Sequence, residues 1–380
     1  MDKILILGGY GSTGRLIARH LLAQSDVELV LAGRNLPRAQ ALAGELNAAF
    51  TGGRVSAVCA DAADPASLRA ALTGVTLLIV ASPTTQYTAN VVRAALDAGA
   101  DYLDVQLDAG KLAVLQAHAA EIEAAGRCFI TEAGFHPGLP SALVRLAAAS
   151  LDQVETALTA GFLNMGHNLP YTEAVDELMQ AFVDYQAQVY KNGAWSKSSS
   201  YDMRTVDFGG QIGSRMCYSM FFEELRALPQ LIPGLREVGF YISSTHWVND
   251  WLITPIVLVG LKIAPKRGLR PLGRLMWWGM QTFHKPPYIV SLLVDAQGRQ
   301  GGHPARLRAS VSHPDGYELT AVPVVAALLQ VLDGSMRKPG LWMMGQLVDP
   351  LRLCEDMRRM GVEVSCAIVR NPEDVPPADR

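Results

Sequence analysis

Residues 3–15, KILILGGYGSTGR, decide the fold of this chain. Residues 3–7 are typical of a buried β-strand, and apolar residues recur with helical spacing from Arg15 onward. The glycines between these two segments match the pattern G-x-G-x-x-G, at Gly9, Gly11 and Gly14. A strand, a glycine turn and a helix in this order form the setting in which that pattern binds a dinucleotide.

Each glycine of the pattern has a distinct physical role. Gly9 is expected to make the tight turn, and Gly11, which lacks a Cβ, lets a pyrophosphate approach the backbone. Gly14 lets the helix pack closely on the strand. The start of the helix offers free N–H groups and a positive dipole end to phosphates, and Ser12 and Thr13 add hydroxyl donors.

The end of the second predicted strand indicates which dinucleotide binds. That strand, at residues 27–32, is followed by Gly33, Arg34 and Asn35. Enzymes that use NAD place a carboxylate here to bind the ribose hydroxyls, and this sequence has none. Arg34 and Arg38, one helical turn apart, suit a 2′-phosphate. We therefore expect NADP rather than NAD; a solvated surface arginine is the alternative interpretation.

Further strands alternate with helical segments and predict an α/β fold, with a Rossmann-type doubly wound parallel sheet. Asp61 follows the third strand, from which its carboxylate could reach the adenine. Ligands bind beyond the carboxyl ends of the strands in such sheets, so we expect the loop after the fourth strand to border the nicotinamide ribose. The predicted strands lie at 3–7, 27–32, 55–60, 77–81, 102–105 and 128–131, with helices at 87–98 and 109–124.

The composition favours a globular protein without a strong overall electrostatic field. The 380 residues have a formal net charge of -3, with 18% charged side chains. This length allows two domains, or one domain with a large insertion. The net charge does not favour nucleic acid as a partner. The cysteine spacing indicates neither a disulfide framework nor zinc, and no secretory signal is evident, so we expect a cytoplasmic protein without a bound metal.

Four segments together resemble the saccharopine dehydrogenase-like family of NAD(P)-dependent oxidoreductases. They are GGYGSTGR (8–15), LAGRN (31–35), ALDAGADYLDV (95–105) and ITEAGFHPGLPSALV (130–144). The resemblance covers the first 150 residues best and returns weakly at 320–342. Members that form saccharopine or carboxynorspermidine tend to have an aspartate before the Pro-Gly, where His136 stands here.

The resemblance implies a Rossmann domain over residues 1–136 and a second α+β domain over 137–335, inserted before a C-terminal segment. That segment, 336–380, would return to the first domain, and its tail, 371–380, has a composition typical of disorder. The family's cofactor contacts carry over to Gly9, Gly11, Ser12, Thr13, Gly14 and Arg34, with Ser82, Pro83 and Thr84 at the nicotinamide end and Asp104 near the active cleft.

Hydride transfer from a nicotinamide requires a proton donor near the ends of the fourth to sixth strands. The candidates are His136, Asp104, Glu132 and Tyr102. His136 comes first because an unperturbed histidine, with a pKa of about 6.5, suits acid–base catalysis near neutrality. The alternative is that His136 only caps the next helix. Asp104 and Glu132 could instead hold the nicotinamide amide or a domain hinge.

Residues 247–283 form an unusual segment, because they hold four of the six tryptophans and many cations. Tryptophans beside basic residues suit the headgroup region of a membrane. The apolar stretch at 251–261 is too short to span a bilayer, which needs about 20 apolar residues. A subunit interface or a lid over an apolar substrate are the alternatives. The cations are Lys262, Lys266, Arg267, Arg270 and Arg274, against one acid, Asp250.

Three functions fit these observations. The first is an NADP-dependent reductase of an imine, as in saccharopine dehydrogenase. The second is an NADP-dependent reductase of a C=C or C=O bond in a lipid-like substrate, at the inner face of a membrane. The third is a non-catalytic NADP-binding sensor or scaffold. If the protein is an enzyme, as in the first two hypotheses, we expect a small-molecule substrate and a homodimer.

Overall fold

A computed structural model describes residues 2–165, 171, 175–176, 179, 186–198, 202–243, 246–265, 267–283 and 285–369. The chain forms two compact units. The first contains Met1–Gly138 and Tyr317–Met360, and the second contains Leu139–Gly316 and the residues from Gly361. The tail at 371–380, for which disorder was predicted, and Lys266 lie outside the described residues.

The first unit is built on a parallel sheet whose strand order is β3-β2-β1-β4-β5-β6, followed by one further strand described below. This order confirms the predicted Rossmann-type sheet, with its switch point between β1 and β4. Apolar side chains of both sheet faces are buried, as expected for strands covered by helices on each side. The strands are β1 Lys3–Leu7, β2 Glu28–Gly33, β3 Val55–Cys59, β4 Leu77–Val80, β5 Asp101–Asp104 and β6 Cys128–Thr131.

Three helices of the first unit begin after residues whose side chains cap them. The side chains of Asn35, Asp64 and Asp108 accept hydrogen bonds from the N–H groups of the first turns of α2, α3 and α5 respectively. The helix predicted at 109–124 is two helices, because the backbone at His118 leaves helical geometry with ψ of 1°. These helices are α1 Ser12–Gln24, α2 Leu36–Ala49, α3 Pro65–Ala71, α4 Thr88–Asp97, α5 Ala109–Ala117 and α6 Ala119–Ala124.

The second unit is built on a mixed sheet with the order β10-β11-β12-β7-β13-β14, and α7 (Leu139–Ser150) packs on β7 and β13. Strands β13 and β14 pair antiparallel and form a hairpin around the glycines at 298–302. The strands of the second unit are β7 Gln153–Asn164, β8 Gln188–Lys191, β9 Ala194–Lys197, β10 Met203–Asp207, β11 Ser214–Met220, β12 Glu237–Ser243, β13 Ile289–Gln300 and β14 His303–His313.

A helical hairpin contains most of the tryptophan-rich segment. After the short helix α8 (Leu228–Leu231) and strand β12, a wide turn at Asn249–Ile253 leads into α9 (Thr254–Ile263), and α10 (Leu269–Phe283) folds back on it. Within the described part of the chain, every helix falls short of the length and apolar content that crossing a bilayer requires.

The chain then returns to the first unit before the end of the expected second domain. Helix α11 (Gly316–Leu332) packs there, with Glu318 bonded to His20, so the boundary expected at 335 lies at 316. Strand β15 (Gly340–Met343) pairs with β6 and adds a seventh strand to the parallel sheet. Two helices follow, α12 (Met344–Leu347) and α13 (Pro350–Arg359).

The last described strand departs from the expectation that residues 336–380 belong to the first domain. Strand β16 (Glu363–Val369) pairs antiparallel with β14 and forms an edge of the second sheet. The physical reason is the free edge of β14, whose backbone groups require a partner or water. A short edge strand of this kind carries no pattern that distinguishes one sheet from the other.

The contact between α1 and β1 yields a stability prediction. A Cβ at Gly14 would lie 2.3 Å from the carbonyl oxygen of Gly8 and 2.9 Å from Cα of Gly9. Gly14→Ala is therefore expected to lower the free energy of unfolding by at least about 2 kcal/mol, because only backbone can move to relieve the overlap. Gly44→Ala is the control: Gly44 lies in α2 with nothing within 4 Å of the added Cβ, so it should stabilise by up to about 1 kcal/mol. Urea unfolding measures both, and equal effects would contradict the prediction.

Candidate cofactor and substrate site

The glycine turn follows β1 at the switch point of the sheet. Gly8 has a φ of +86°, and a Cβ there would lie 2.6 Å from the carbonyl oxygen of Ala81. Gly8 is therefore the residue with left-handed backbone geometry. Gly9 lies inside the tight turn, which the N–H of Gly11 closes on the carbonyl of Gly8 at 2.9 Å. Gly14 provides the close helix–strand contact, as predicted. The sequence signal for Gly8 was the glycine doublet itself.

The start of α1 can receive an anion. Helix α1 begins at Ser12, and Gly11 at its N-cap has no side chain to satisfy the N–H groups of the first turn. The first turn also carries no acidic residue. The N–H groups of Ser12, Thr13 and Gly14 are thus available, with the positive end of the helix dipole, at the β1/β4 switch point. This geometry fits a pyrophosphate.

Tyr10, which the sequence reasoning missed, organises the loop after β2. A Cβ at Gly33 would lie 2.6 Å from the Tyr10 ring, so a glycine is required at that position. The Tyr10 hydroxyl accepts the N–H of Asn35 at 3.1 Å, and the Arg38 guanidinium lies 5.2 Å from the ring centroid. Arg34 follows β2 directly and is exposed. An arginine held over an aromatic ring and a second exposed arginine in the same loop fit a 2′-phosphate.

The other predicted cofactor residues lie beyond β3 and β4. The Asp61 carboxylate accepts the N–H of Ala63 at 3.0 Å and so shapes the turn after β3. After β4, the Gln106 side chain donates to the Ser82 carbonyl at 2.5 Å and to the Thr84 hydroxyl at 3.3 Å. Pro83 between them is exposed. Gln106 therefore fixes the loop that the sequence placed at the nicotinamide end.

A buried carboxylate lies behind this loop. Oδ1 of Asp104, at the end of β5, accepts hydrogen bonds from Lys111 Nζ at 2.7 Å and from the N–H groups of Gln106 at 3.1 Å and Glu132 at 3.2 Å. Its Oδ2 accepts the hydroxyls of Tyr102 at 2.9 Å and Thr131 at 2.7 Å. A buried charge needs such donors, and here they replace water completely.

The buried network corrects two catalytic candidates. The side chains of Asp104 and Lys111 have no exposed surface, and Tyr102 is 1% exposed. Burial, and then Asp104, raise the pKa of Tyr102 well above its ordinary value, so its hydroxyl stays protonated. Asp104 and Tyr102 thus act on the positions of neighbouring segments and do not meet a substrate. Lys111 was missed, because no local pattern distinguishes a buried lysine on α5 from a surface lysine.

Residues 132–138, after β6, form a tight turn that carries the other two candidates. Glu132 is buried and has a φ of +55°, a conformation that costs a non-glycine residue about 1 kcal/mol or more. Gly138, at a φ of +119°, packs so closely that a Cβ would lie 2.7 Å from the N of Gly134. Backbone strain of this kind is typical of functional sites.

His136 differs from the acid expected at this place. Its side chain is partly exposed and its ring lies 4.4 Å from that of Phe135. Desolvation by the surrounding protein lowers the pKa of His136 to about 4, although a backbone hydrogen bond opposes the shift. The imidazole is therefore neutral at pH 7. The neutral ring can donate or accept a hydrogen bond, but it is a poor general acid at this pH.

Among the described residues, no group of three or more His, Cys, Asp or Glu side chains is arranged to hold a metal ion. The candidate site consists of the glycine turn, the Tyr10 platform, the loop fixed by Gln106 and the strained turn at 132–138.

Comparisons with known proteins identify the N-terminal domain and the fold of the chain. Residues 4–128 match the family model described as the saccharopine dehydrogenase NADP binding domain. The solved apo saccharopine dehydrogenase (L-Glu forming) from Saccharomyces cerevisiae has a TM-score of 0.71 with this chain, at 15% sequence identity. That match covers 97% of this chain and 100% of the yeast chain. The second unit therefore shares the yeast enzyme's fold as well.

Two curated proteins are more similar in sequence. Carboxynorspermidine synthase of Vibrio alginolyticus is 26% identical over 270 residues, which span 64% of this chain and 63% of that protein, less than two thirds of its length. The alignment with carboxynorspermidine synthase of Vibrio cholerae serotype O1 shows 25% identity over 400 residues. It covers 93% of this chain and 94% of that protein.

The chain is an NAD(P)-dependent oxidoreductase. The comparisons confirm its resemblance to the saccharopine dehydrogenase-like family, and its N-terminal region is an NADP-binding domain of the saccharopine dehydrogenase type.

Removal of the buried lysine tests the network. Lys111→Met is expected to lower the free energy of unfolding by about 3–5 kcal/mol, because it leaves the Asp104 charge buried without its partner. Lys197→Met, on exposed strand β9, is the control and should change the free energy by less than about 0.5 kcal/mol. Urea unfolding at pH 7 measures both. A loss below about 1 kcal/mol for Lys111→Met would show that the pair is not held as described.

The low pKa of His136 predicts a pH dependence. The folded pKa of about 4 lies below the unfolded value of about 6.5, so the unfolded chain binds the proton first as the pH falls. The free energy of unfolding should fall between pH 6.5 and pH 4, by up to about 3 kcal/mol in total from this residue. His136→Gln should flatten that slope, whereas His303→Gln, at the exposed β13–β14 turn, should keep it. Urea midpoints across this range measure the effect, and an unchanged slope in His136→Gln would rule out the assignment.

Proposed function

We propose that the protein uses NADPH to reduce a carbon–nitrogen double bond formed from an amine and a carbonyl compound. The observation that carries the cofactor choice is the loop after β2, in which Arg38 lies over the Tyr10 ring, Arg34 is exposed, and no carboxylate is present. The alignment with two carboxynorspermidine synthases and the saccharopine dehydrogenase fold support the imine.

The chain's own residues would bind the cofactor along the carboxyl edge of the parallel sheet. The glycine turn and the first turn of α1 hold the pyrophosphate, Arg34 and Arg38 hold the 2′-phosphate, and Asp61 lies on the adenine side. The loop at Ser82–Thr84, fixed by Gln106, borders the nicotinamide ribose. Bound NADPH supplies the hydride.

The neutral state of His136 supports an imine over the alternative acceptors. A protonated imine takes the hydride at carbon, the electrons of the C=N bond pass to nitrogen, and nitrogen already carries its proton. The product amine therefore forms without a second proton from the protein. Reduction of a C=C or C=O bond ends in an anion that requires a proton, and a histidine with a pKa of about 4 is rarely charged to deliver it. His136 would instead hydrogen-bond the substrate.

A second candidate is the reduction of a C=C or C=O bond in a lipid-like substrate. The exposed apolar surface between Trp247 and Trp278 favours it, because an amino-acid substrate has no use for such a surface. A non-catalytic sensor or scaffold, the third hypothesis, is an outcome of the experiment below.

The experiment begins with cofactor titration, followed by intrinsic tryptophan fluorescence. NADPH should bind at least about tenfold more tightly than NADH, because charge-assisted bonds to a 2′-phosphate contribute about 1.5–3 kcal/mol. Arg34→Asp should weaken NADPH binding and spare NADH, and Arg69→Asp, an exposed arginine on α3, should change neither. If both affinities fall together in Arg34→Asp, or neither changes, Arg34 does not select the cofactor.

Turnover then separates the three functions. NADPH deuterated at the transferring carbon is mixed with amine–carbonyl pairs, enoyl lipids and ketones, and the products are analysed by mass spectrometry. Deuterium at the carbon of a new C–N bond supports the proposal. Deuterium only in a lipid product supports the second candidate. Tight NADPH binding without any transfer favours the sensor or scaffold.

A further inference from the structure

Exposed apolar side chains concentrate on one part of the second unit. Eight of the twelve large apolar side chains that are exposed among the described residues lie between Trp247 and Trp278. Ile263 is 79% exposed, and Trp247 and Trp251 are 62% and 61% exposed. We call this surface the hairpin face; it is formed mainly by Trp247, Trp251, Ile256, Val259, Ile263 and Trp278.

The hairpin face is not the inner side of the two helices. That side is already packed: Val257 and Leu261 of α9 are buried in a cluster with α10, and Met179 lies in the same cluster. Gly260 allows the close contact, because a Cβ there would lie 2.7 Å from Leu272. The outer residues 252, 256, 259 and 263 follow helical spacing and form a second apolar stripe on α9. A helix that is apolar on both sides requires something to cover the outer one.

Cations border the hairpin face at one end. Lys262, Arg267 and Arg270 are exposed around the connection between α9 and α10, and Arg274 follows one turn later. Arg270 lies 3.5 Å from Asp176, and the other three cations form no ion pair within the described part of the chain. Between residues 246 and 283, Asp250 is the one acid in the described chain, and it is partly buried.

The tryptophans lie at the opposite end of the hairpin. Gly279 near the end of α10 packs against Asn249 and Ile253, so the helices run antiparallel and bring Trp278 towards Trp247 and Trp251. Tryptophan favours the level of lipid headgroups, because its ring is apolar and its N–H is polar. An apolar stripe with cations at one end and tryptophans at the other is typical of helices that lie in a membrane interface.

We propose that the hairpin face docks on an anionic lipid bilayer, with the apolar stripe of α9 inserted among the acyl chains and the cations against the headgroups. Charge favours this partner over a second copy of the chain. Within the described part of residues 246–283, a second copy would bring the same cations and one partly buried acid, so it offers no counter-charge, whereas anionic headgroups neutralise the cations. The proposal does not depend on the reaction that the enzyme catalyses.

Flotation of the full chain with lipid vesicles tests the proposal. Vesicles of phosphatidylcholine are compared with vesicles in which about a third of the lipid is phosphatidylglycerol. The protein should float with the anionic vesicles, and raising the salt concentration should reduce but not abolish the binding, because the apolar contribution is not screened.

Matched variants locate the contact. Trp251→Glu with Ile263→Glu should weaken vesicle binding by at least about tenfold, through lost apolar burial. Leu231→Glu with Leu351→Glu, two exposed leucines elsewhere, should leave it unchanged. Lys262→Gln with Arg267→Gln should weaken binding to anionic vesicles by about fivefold for each charge removed. Arg19→Gln with Arg69→Gln, on α1 and α3, is the charge control.

The outcomes distinguish the partner from loss of the fold. NADPH affinity and the urea unfolding curve are measured for every variant. Unchanged affinity shows that the first unit remains folded, and an unchanged unfolding curve shows the same for the second unit, whichever substrate the enzyme reduces. Absence of flotation overturns the proposal, as does flotation that the hairpin variants and their controls affect equally. A concentration-dependent dimer that Trp251→Glu with Ile263→Glu dissociates, without vesicle binding, would identify a second copy as the occupant.

Discussion

The Asp104 carboxylate lies entirely inside the first unit, and five hydrogen bonds hold it there. The donors come from β5, from β6, from α5 and from the segments that follow the two strands. The network extends through Gln106 to the loop after β4 and through the Glu132 N–H to the turn after β6. Because water cannot reach this carboxylate, the loss of any one donor would destabilise the folded chain. The carboxyl edge of the sheet is therefore fixed before any ligand arrives, which is what orientation of a hydride acceptor requires.

Local pattern was enough to predict the glycine turn and six strands of the parallel sheet, because each is a short apolar run next to its own turn residues. The same pattern could not predict which side chains link those strands through hydrogen bonds. Lys111 and Gln106 are ordinary polar residues whose roles depend on neighbours brought together by the fold, 7 residues away in one case and 22–24 in the other. The same limit applies to β15 and β16, since sequence spacing does not identify which sheet an edge strand joins.

The neutral His136 and the platform of Tyr10 illustrate a second limit. Residue type indicated a histidine acid, but a pKa depends on desolvation, which only the packed turn reveals. Arg34 and Arg38 were evident from their spacing, whereas the aromatic ring that positions Arg38 stands inside the glycine pattern, at a place where any residue is allowed. In both cases the chemistry of the site is set by the environment that surrounds the side chain.

The strand topology also has a consequence for synthesis of the protein. The parallel sheet is completed by β15, after residue 339, and the mixed sheet by β16, after residue 362. A nascent chain that has emerged only as far as residue 339 therefore presents β6 and β14 as open edges at the same time. Such edges pair readily with other chains, so a chaperone that shields them would have its greatest effect at this stage of translation. Each sheet thus waits for one of the last strands of the chain, β15 for the first unit and β16 for the second.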